Sequence, residues 1–327
     1  HSSSDDQKKY RDADDLAEDL KNDPIEKFLA YIKEHKLLDE KVIGKIQDEV
    51  KAEIDAAAEE AMKSPDPKPE EAAKYVFDES GHIDSLPYEK TQPSGAPIVM
   101  VDAINHALHE ELELNPDAYI FGEDIADGKG GVFTATKGLT NKFGKERVFN
   151  SPLAEASIMG VATGMAFAGL KPVVEIQFGD YIWPAFMQMK DELATIRYRS
   201  NNYWAAPVVT RVAVGGYIHG GLYHSQNIES IFAHVPGIYI AYPSNSADAK
   251  GLLKTAIRLN DPVLFCEHKG LYRQSFAIAP EPDNNYLLPF GKGKIVMEGK
   301  DVTVITYGAS VWDSVFAAKK LKEEGMN

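Results

Sequence analysis

Glu155 is the carboxylate whose surroundings best equip it for chemistry. It follows Ser151, Pro152 and Leu153 and opens an apolar stretch that runs to Leu170. That places it at a strand-to-helix corner, partly out of water, where an ionised carboxylate is costly without a partner. A carboxylate at a helix N-terminus is also stabilised by the macrodipole, so position alone does not assign it to catalysis. His224, in the string Tyr223-His224-Ser225-Gln226, offers an imidazole able to gain or lose charge near neutral pH. Tyr181 lies in the aromatic run Glu175 to Phe186, where a ring serves a core or a flat ligand equally well. His219 and His234 have no comparable surroundings and are read as structural. Cys266, the single cysteine, follows Val263, Leu264 and Phe265. It reads as a buried strand thiol in a protein of a reducing compartment.

These residues need elements to position them. Asp23 and Pro24 form an N-cap with proline at the first helical position, and Ile25, Phe28, Leu29 and Ile32 follow at helical spacing. A second helix begins near Asp39, with Val42, Ile43, Ile46, Val50 and Ile54 on one stripe. Residues 1–78 therefore read as all-helical. The run Ser64 to Pro69 cannot continue a helix, and residues 79–97 lack a sustained period, which marks a linker.

From Val99 onward helices alternate with β-branched runs. A helix is expected over Val99 to Leu114, with strands near Ala118 to Phe121, Pro172 to Phe178, Pro207 to Val214, Gly237 to Ala241 and Pro262 to Cys266. This is the signature of a parallel α/β sheet over residues 98–275. Ligands of such sheets sit beyond the carboxyl ends of the strands. Residues 276–327 predict further strands at Gly293 to Met297 and Val302 to Tyr307 and a helix from about Val311, the start of another α/β domain.

Composition narrows the function. The formal charge of -15 over 327 residues argues against a nucleic-acid or anionic-membrane partner, since either needs clustered Lys and Arg. The apolar stretch from Leu153 to Leu170 carries Glu155, Gly160, Gly164 and Gly169 and reads as a buried helix, not a membrane span. No secretory leader is read at His1. The abrupt beginning and end suggest a middle portion of a longer polypeptide.

The spacing Glu155, Gly160, Gly164 resembles the pattern of pyrimidine-binding domains in thiamine-diphosphate enzymes. Around it the strings GEDIADGKGGVF (122–133), FGKERVFNSPLAE (143–155), EIQFGDYIWPAF (175–186), RYRS (197–200), GGLYHSQ (220–226), HVPGI (234–238) and DAKGLL (248–253) follow one another. This order is similar to that of the beta subunit of 2-oxo acid dehydrogenases. HSSSDD (1–6), Tyr10, Arg11 and Asp23-Pro24-Ile25 resemble the carboxyl-terminal part of the alpha subunit of the same enzymes. The resemblance implies an alpha tail fused to a beta subunit, with a transketolase-like fold.

The resemblance also implies roles. The glutamate at position 155 would share a proton with the aminopyrimidine ring and promote the tautomer that deprotonates the thiazolium carbon. Tyr181 would stack on that ring, and Leu153 and Gln177 would line the pocket. His224 and His1 would be the two histidines that position the acyl intermediate and move protons. Ser2 matches a serine that is phosphorylated in mitochondrial relatives. The Gly-Asp-Gly string that holds magnesium and the cofactor diphosphate is missing, and Gly122, Glu123 and Asp124 do not replace it. A potassium ion on backbone carbonyls would fall at the turn Arg258 to Asp261.

The implied reaction is oxidative decarboxylation of a 2-oxo acid, with acyl transfer to the lipoyl domain of a dihydrolipoyl acyltransferase. QFGDYIWPAF, GLYHSQ and LYR (271–273) look closest to the branched-chain enzymes. Pyruvate or acetoin dehydrogenase, or a non-catalytic half-site that keeps only fold and dimer interface, are the alternatives. A homodimer of fused chains or an alpha2beta2-like assembly is expected, in a bacterial cytoplasm or the mitochondrial matrix.

Overall fold

The computed structural model describes residues 4–88 and 92–327, so the readings of His1 and Ser2 lie outside the described residues. The chain divides into two compact units, His1–Ala72 and Ala73–Asn327.

The first unit is helical, with α1 (Ala13–Lys21), α2 (Pro24–Glu34) and α3 (Glu40–Lys63). Each begins where a short acceptor stops the backbone from fraying. The carboxylate of Asp23 accepts from the Ile25 amide at 2.8 Å, and that of Asp39 accepts from the Val42 amide at 2.8 Å. The expected apolar stripe of α3 is present, but Val42, Ile46, Val50 and Ile54 are exposed.

The second unit is built on a six-stranded parallel sheet: β1 (Ala118–Gly122), β2 (Val148–Asn150), β3 (Lys171–Ile176), β4 (Val209–Val214), β5 (Tyr239–Ala241) and β6 (Val263–His268). Their spatial order is β2-β1-β3-β4-β6-β5. The period of two sorts alternate residues to opposite faces. Ile120, Val173, Val209, Val263 and Phe265 join one core with α4 (Met100–Leu114) and α6 (Ser246–Arg258). Phe121, Val174, Ile176, Val212, Val214, Leu264 and Cys266 join the other, with α5 (Glu155–Phe167). Both faces are covered, which is why the strands read as nearly unbroken apolar runs.

The same alternation aligns three charges on the first face. Glu175 pairs in register with Arg211, and Glu267 lies opposite Ala213. Arg211 donates from Nη1 to Glu175 Oε2 at 2.7 Å and from Nε and Nη2 to the two oxygens of Glu267 at 2.7 and 2.9 Å. The Tyr272 hydroxyl donates to Glu267 Oε2 at 2.7 Å. A buried guanidinium is tolerated here because both its carboxylate partners are in hydrogen-bonding geometry.

Three readings need correction or completion. β2 had not been expected. Residues 293–297 and 302–307 form no strands, and Ile305 is 94% exposed. A strand needs a neighbour for its amides, and among the described residues these runs have none. The helix that follows is present as α7 (Ser310–Glu323). The expected linker contains the short helix His82–Ser85, and the chain just before it is pinned: the Asp78 amide donates to Asp261 Oδ2 at 2.7 Å, and the Asn260 amide group donates to Asp78 Oδ2 at 3.0 Å.

Candidate active site

The carboxyl ends of β1, β3, β4 and β6 meet along one edge of the sheet, and the candidate residues gather there. β2 ends at Asn150, the Ser151 amide donates to the Gly122 carbonyl at 2.7 Å, and α5 starts at Glu155. No side chain caps α5, so its first amides and the Glu155 carboxylate share one corner. Glu155 is 8% exposed. Leu153, two residues earlier, is 80% exposed in this chain. Gly160 and Gly164 lie on the exposed side of α5, with no atom near where a side chain would begin.

Gly122 ends β1 with φ +156, and a Cβ there would stand 2.4 Å from the Glu175 carbonyl, so only glycine fits. Directly after it come Glu123 and Asp124. Glu123 is buried, and its Oε1 has no hydrogen-bond partner among the described residues. Burial, and then the nearby charges of Glu155, Asp124 and Glu175, push the Glu123 carboxyl up to about 7. Gln177 donates to Asp124 Oδ2 at 2.9 Å, which links the ends of β1 and β3.

β3 runs into Phe178 and the single turn Gly179–Tyr181. The Tyr181 hydroxyl lies 3.1 Å from Nε2 of His224, and the Phe178 ring packs edge-on against the imidazole with centroids 4.3 Å apart. The structure thus brings Tyr181 and His224 together from 43 residues apart. His224 Nδ1 is buried without a hydrogen-bond partner among the described residues.

His224 adopts φ +64, in the left-handed region, at a cost of about 1–3 kcal/mol for a residue with a side chain. The next two amides offset it. Ser225 and Gln226 donate to Oδ2 of Asp180 at 3.0 and 3.2 Å. Hydrogen bonds to a charged acceptor are worth about 1.5–3 kcal/mol each, so two of them suffice to hold the strained turn.

Lys269 follows β6 and is 2% exposed. Its Nζ lies 5.5 Å from the Phe178 ring centroid and has no hydrogen-bond partner among the described residues. Burial pushes the amine down to about 8, and the charge of Asp180 opposes that shift.

Sequence reasoning missed Glu123, Asp180 and Lys269 as members of this edge. Two of them directly follow strands, a signal that could have found them. The turn Arg258 to Asp261 is already furnished with donors from the chain. Lys171 Nζ donates to the Leu259 carbonyl at 2.6 Å, Arg197 donates to that of Asn260 at 3.0 Å, and His82 Nε2 lies 2.8 Å from that of Arg258.

The chain matches the model of the transketolase pyrimidine-binding domain over residues 96–275 and that of the dehydrogenase E1 component over residues 1–70. It is 51% identical over 227 residues to the 2-oxoisovalerate dehydrogenase subunit beta of Bacillus subtilis, which covers 69% of this chain and 68% of that one. The chain belongs to the thiamine-diphosphate-dependent 2-oxo acid dehydrogenases.

Other members extend the comparison. Identity is 44% to the mitochondrial 2-oxoisovalerate dehydrogenase subunit beta 2 of Arabidopsis thaliana, with 73% of this chain and 66% of that one covered. It is 43% to the pyruvate dehydrogenase E1 component subunit beta of Staphylococcus epidermidis, with 70% of each covered. The chain thus spans about two thirds of the length of these relatives. Among solved structures, an inactive beta4 tetramer of a split-gene transketolase superposes with a TM-score of 0.55 at 25% identity, covering 70% of this chain and 68% of that one. The fold of this dehydrogenase chain is accordingly the transketolase-like pyrimidine-binding α/β domain. Among the described residues no helix is long and apolar enough to cross a membrane.

Proposed function

We propose that this chain supplies the pyrimidine side of a 2-oxo acid decarboxylase site and takes part in acyl transfer to a lipoyl group. The observation that carries the reading is the convergence of Glu155, Tyr181 and His224 on the carboxyl edge of one parallel sheet, with the Tyr181 hydroxyl 3.1 Å from His224 Nε2.

The residues fit the aminopyrimidine part of thiamine diphosphate. Glu155 is a buried carboxylate, beside a second carboxyl, that of Glu123, with an unpartnered oxygen. Such a pair suits a heteroaromatic edge that both donates and accepts. When bound, the cofactor supplies the carbon nucleophile and the electron sink. In this reading Glu155 holds a proton at a ring nitrogen of the pyrimidine, and Tyr181 orients that ring. His224 moves a proton at its imidazole during transfer, and Gln177 steadies the floor of the site through Asp124. Leu153, exposed in this chain, would close the pocket only against a neighbouring polypeptide.

The diphosphate and its magnesium ion are assigned elsewhere. Among the described residues no group of three or more His, Cys, Asp or Glu side chains is arranged to hold a metal ion. In this reading an alpha-type partner completes the site, and His1 would belong to that side. The open glycine face of α5 suits close helix packing between two copies, in a homodimer of fused chains or an alpha2beta2-like assembly. A dihydrolipoyl acyltransferase bearing a lipoyl domain would accept the acyl unit.

A branched-chain substrate such as 2-oxoisovalerate is favoured by the 51% identity to the Bacillus subtilis protein, against 43% to the pyruvate enzyme of Staphylococcus epidermidis. Turnover of 2-oxoisovalerate and pyruvate by the assembled enzyme tests this, and a higher kcat/KM for pyruvate refutes the branched-chain assignment. Calorimetric titration of the isolated chain with thiamine diphosphate and magnesium tests the half-site assignment. Tight magnesium-dependent binding by the chain alone would overturn it.

A further inference from the structure

The turn Gly179–Tyr181 grips the loop that bears His224 in two places. Tyr181 meets its side chain, with hydroxyl and Nε2 3.1 Å apart, and Asp180 accepts the two backbone amides that follow it. Gly179 permits the grip, because a Cβ there would sit 3.2 Å from both the Gln226 carbonyl and the Ile228 side chain. The histidine between these two holds is left-handed and has only one ring nitrogen engaged. Beyond these holds the ring is packed only edge-on, by Phe178 with centroids 4.3 Å apart and by the Tyr181 ring at 5.5 Å.

We propose that Asp180 is a positioning residue for His224, its carboxylate fixing Ser225 and Gln226 so that the imidazole is presented to the Tyr181 hydroxyl at the site. Lys269 is the balancing charge. Asp180 is 8% exposed, its Oδ1 has no hydrogen-bond partner among the described residues, and neither has the Nζ of the buried Lys269, which stands within electrostatic reach. Burying a charged carboxylate is costly without a cation nearby, and Lys269 offsets that cost. The inference rests on the reading of His224 as the proton-moving group of acyl transfer.

The test uses the assembled enzyme with 2-oxoisovalerate and two acceptors, a free lipoyl domain and ferricyanide, so that transfer and decarboxylation are read separately. Asp180→Ala is expected to lower lipoyl-domain acylation about 100-fold while ferricyanide-coupled decarboxylation stays within about 3-fold. Asp180→Asn keeps an acceptor oxygen and should restore transfer to within about 5-fold of the wild type. If Asp180→Ala does not fold, Lys269→Met carries the test, with transfer lowered about 3- to 10-fold relative to decarboxylation. Parallel losses in both assays, or no loss in either, would overturn the proposal. A crystal structure of Asp180→Asn or Lys269→Met supplies a reading independent of turnover. The separation of His224 Nε2 from Tyr181 Oη should lengthen or become disordered in Lys269→Met and stay near the wild-type value in Asp180→Asn. An unchanged separation in Lys269→Met refutes the role of the pair. A wild-type enzyme that acylates no lipoyl domain refutes the function of His224 and leaves the structure to decide the grip.

Discussion

Tyr181 and His224 stand 43 residues apart in sequence and 3.1 Å apart in space, and their contact ties the end of β3 to the strained loop after β4. Tyr181→Phe removes the hydroxyl and keeps the ring. If Tyr181 acts through both, this variant should bind thiamine diphosphate with nearly wild-type affinity yet lose about 10-fold in acyl transfer, the order expected for one hydrogen bond. Tyr181→Ala should lose cofactor affinity as well. Isothermal titration and a lipoyl-domain assay separate the two effects. Equal affinity for cofactor in all three proteins would show that the ring is only core.

Glu155 occupies the first turn of α5 without any salt-bridge partner among the described residues. Glu155→Gln preserves shape and hydrogen bonding but removes the exchangeable acid. Turnover should fall about 10²- to 10⁴-fold, the usual scale for a lost general acid or base, while the melting temperature changes by only a few degrees. A small loss of activity would return Glu155 to the role of a helix-terminal charge. The paired measurement is thermal unfolding of the same preparation.

Much of this fold was legible in the sequence because β3, β4 and β6 are buried on both faces and their β-branched runs stand out from the charged helices. β2 was not legible, since its two apolar residues, Val148 and Phe149, stand between the charged run Lys145 to Arg147 and the polar Asn150 and Ser151, which hides a strand period. The runs at 293–297 and 302–307 have strand composition but no neighbour, and pairing is a property of partners that a single segment does not encode. At the site, Glu155, Tyr181 and His224 sit in distinctive strings. Asp180 and Lys269 owe their significance to contacts that span tens of residues, and a lone aspartate or lysine announces none of that.

Glu123 gives a pH dependence with a defined sign. Its folded carboxyl is raised to about 7 from an ordinary 4.5, so between these values the native state holds a proton that the unfolded chain releases. Its contribution to stability is therefore fully present below pH 4.5 and is lost as pH rises through 7. Glu123→Gln removes the dependence. Between pH 4.5 and 7.5 the wild type should lose roughly 1–2 kcal/mol relative to the variant, a value held below the full shift because neighbouring carboxylates relax together. Urea unfolding of the cofactor-free protein at a series of pH values measures it, and parallel curves for the two proteins would sink the idea.

Arg211 tests how the sheet carries buried charge. It holds Glu175 and Glu267 at once, and all three side chains are nearly inaccessible to water. Arg211→Met leaves two buried carboxylates without their cation and should cost about 3–5 kcal/mol, enough to unfold many domains at body temperature. Replacing all three together by apolar residues of similar volume removes the unpaired charge as well, so the triple variant should regain most of that loss. Chemical denaturation of the two variants decides between them. A triple variant as unstable as Arg211→Met would mean that the three side chains matter for their shape in this layer, and that charge compensation contributes little.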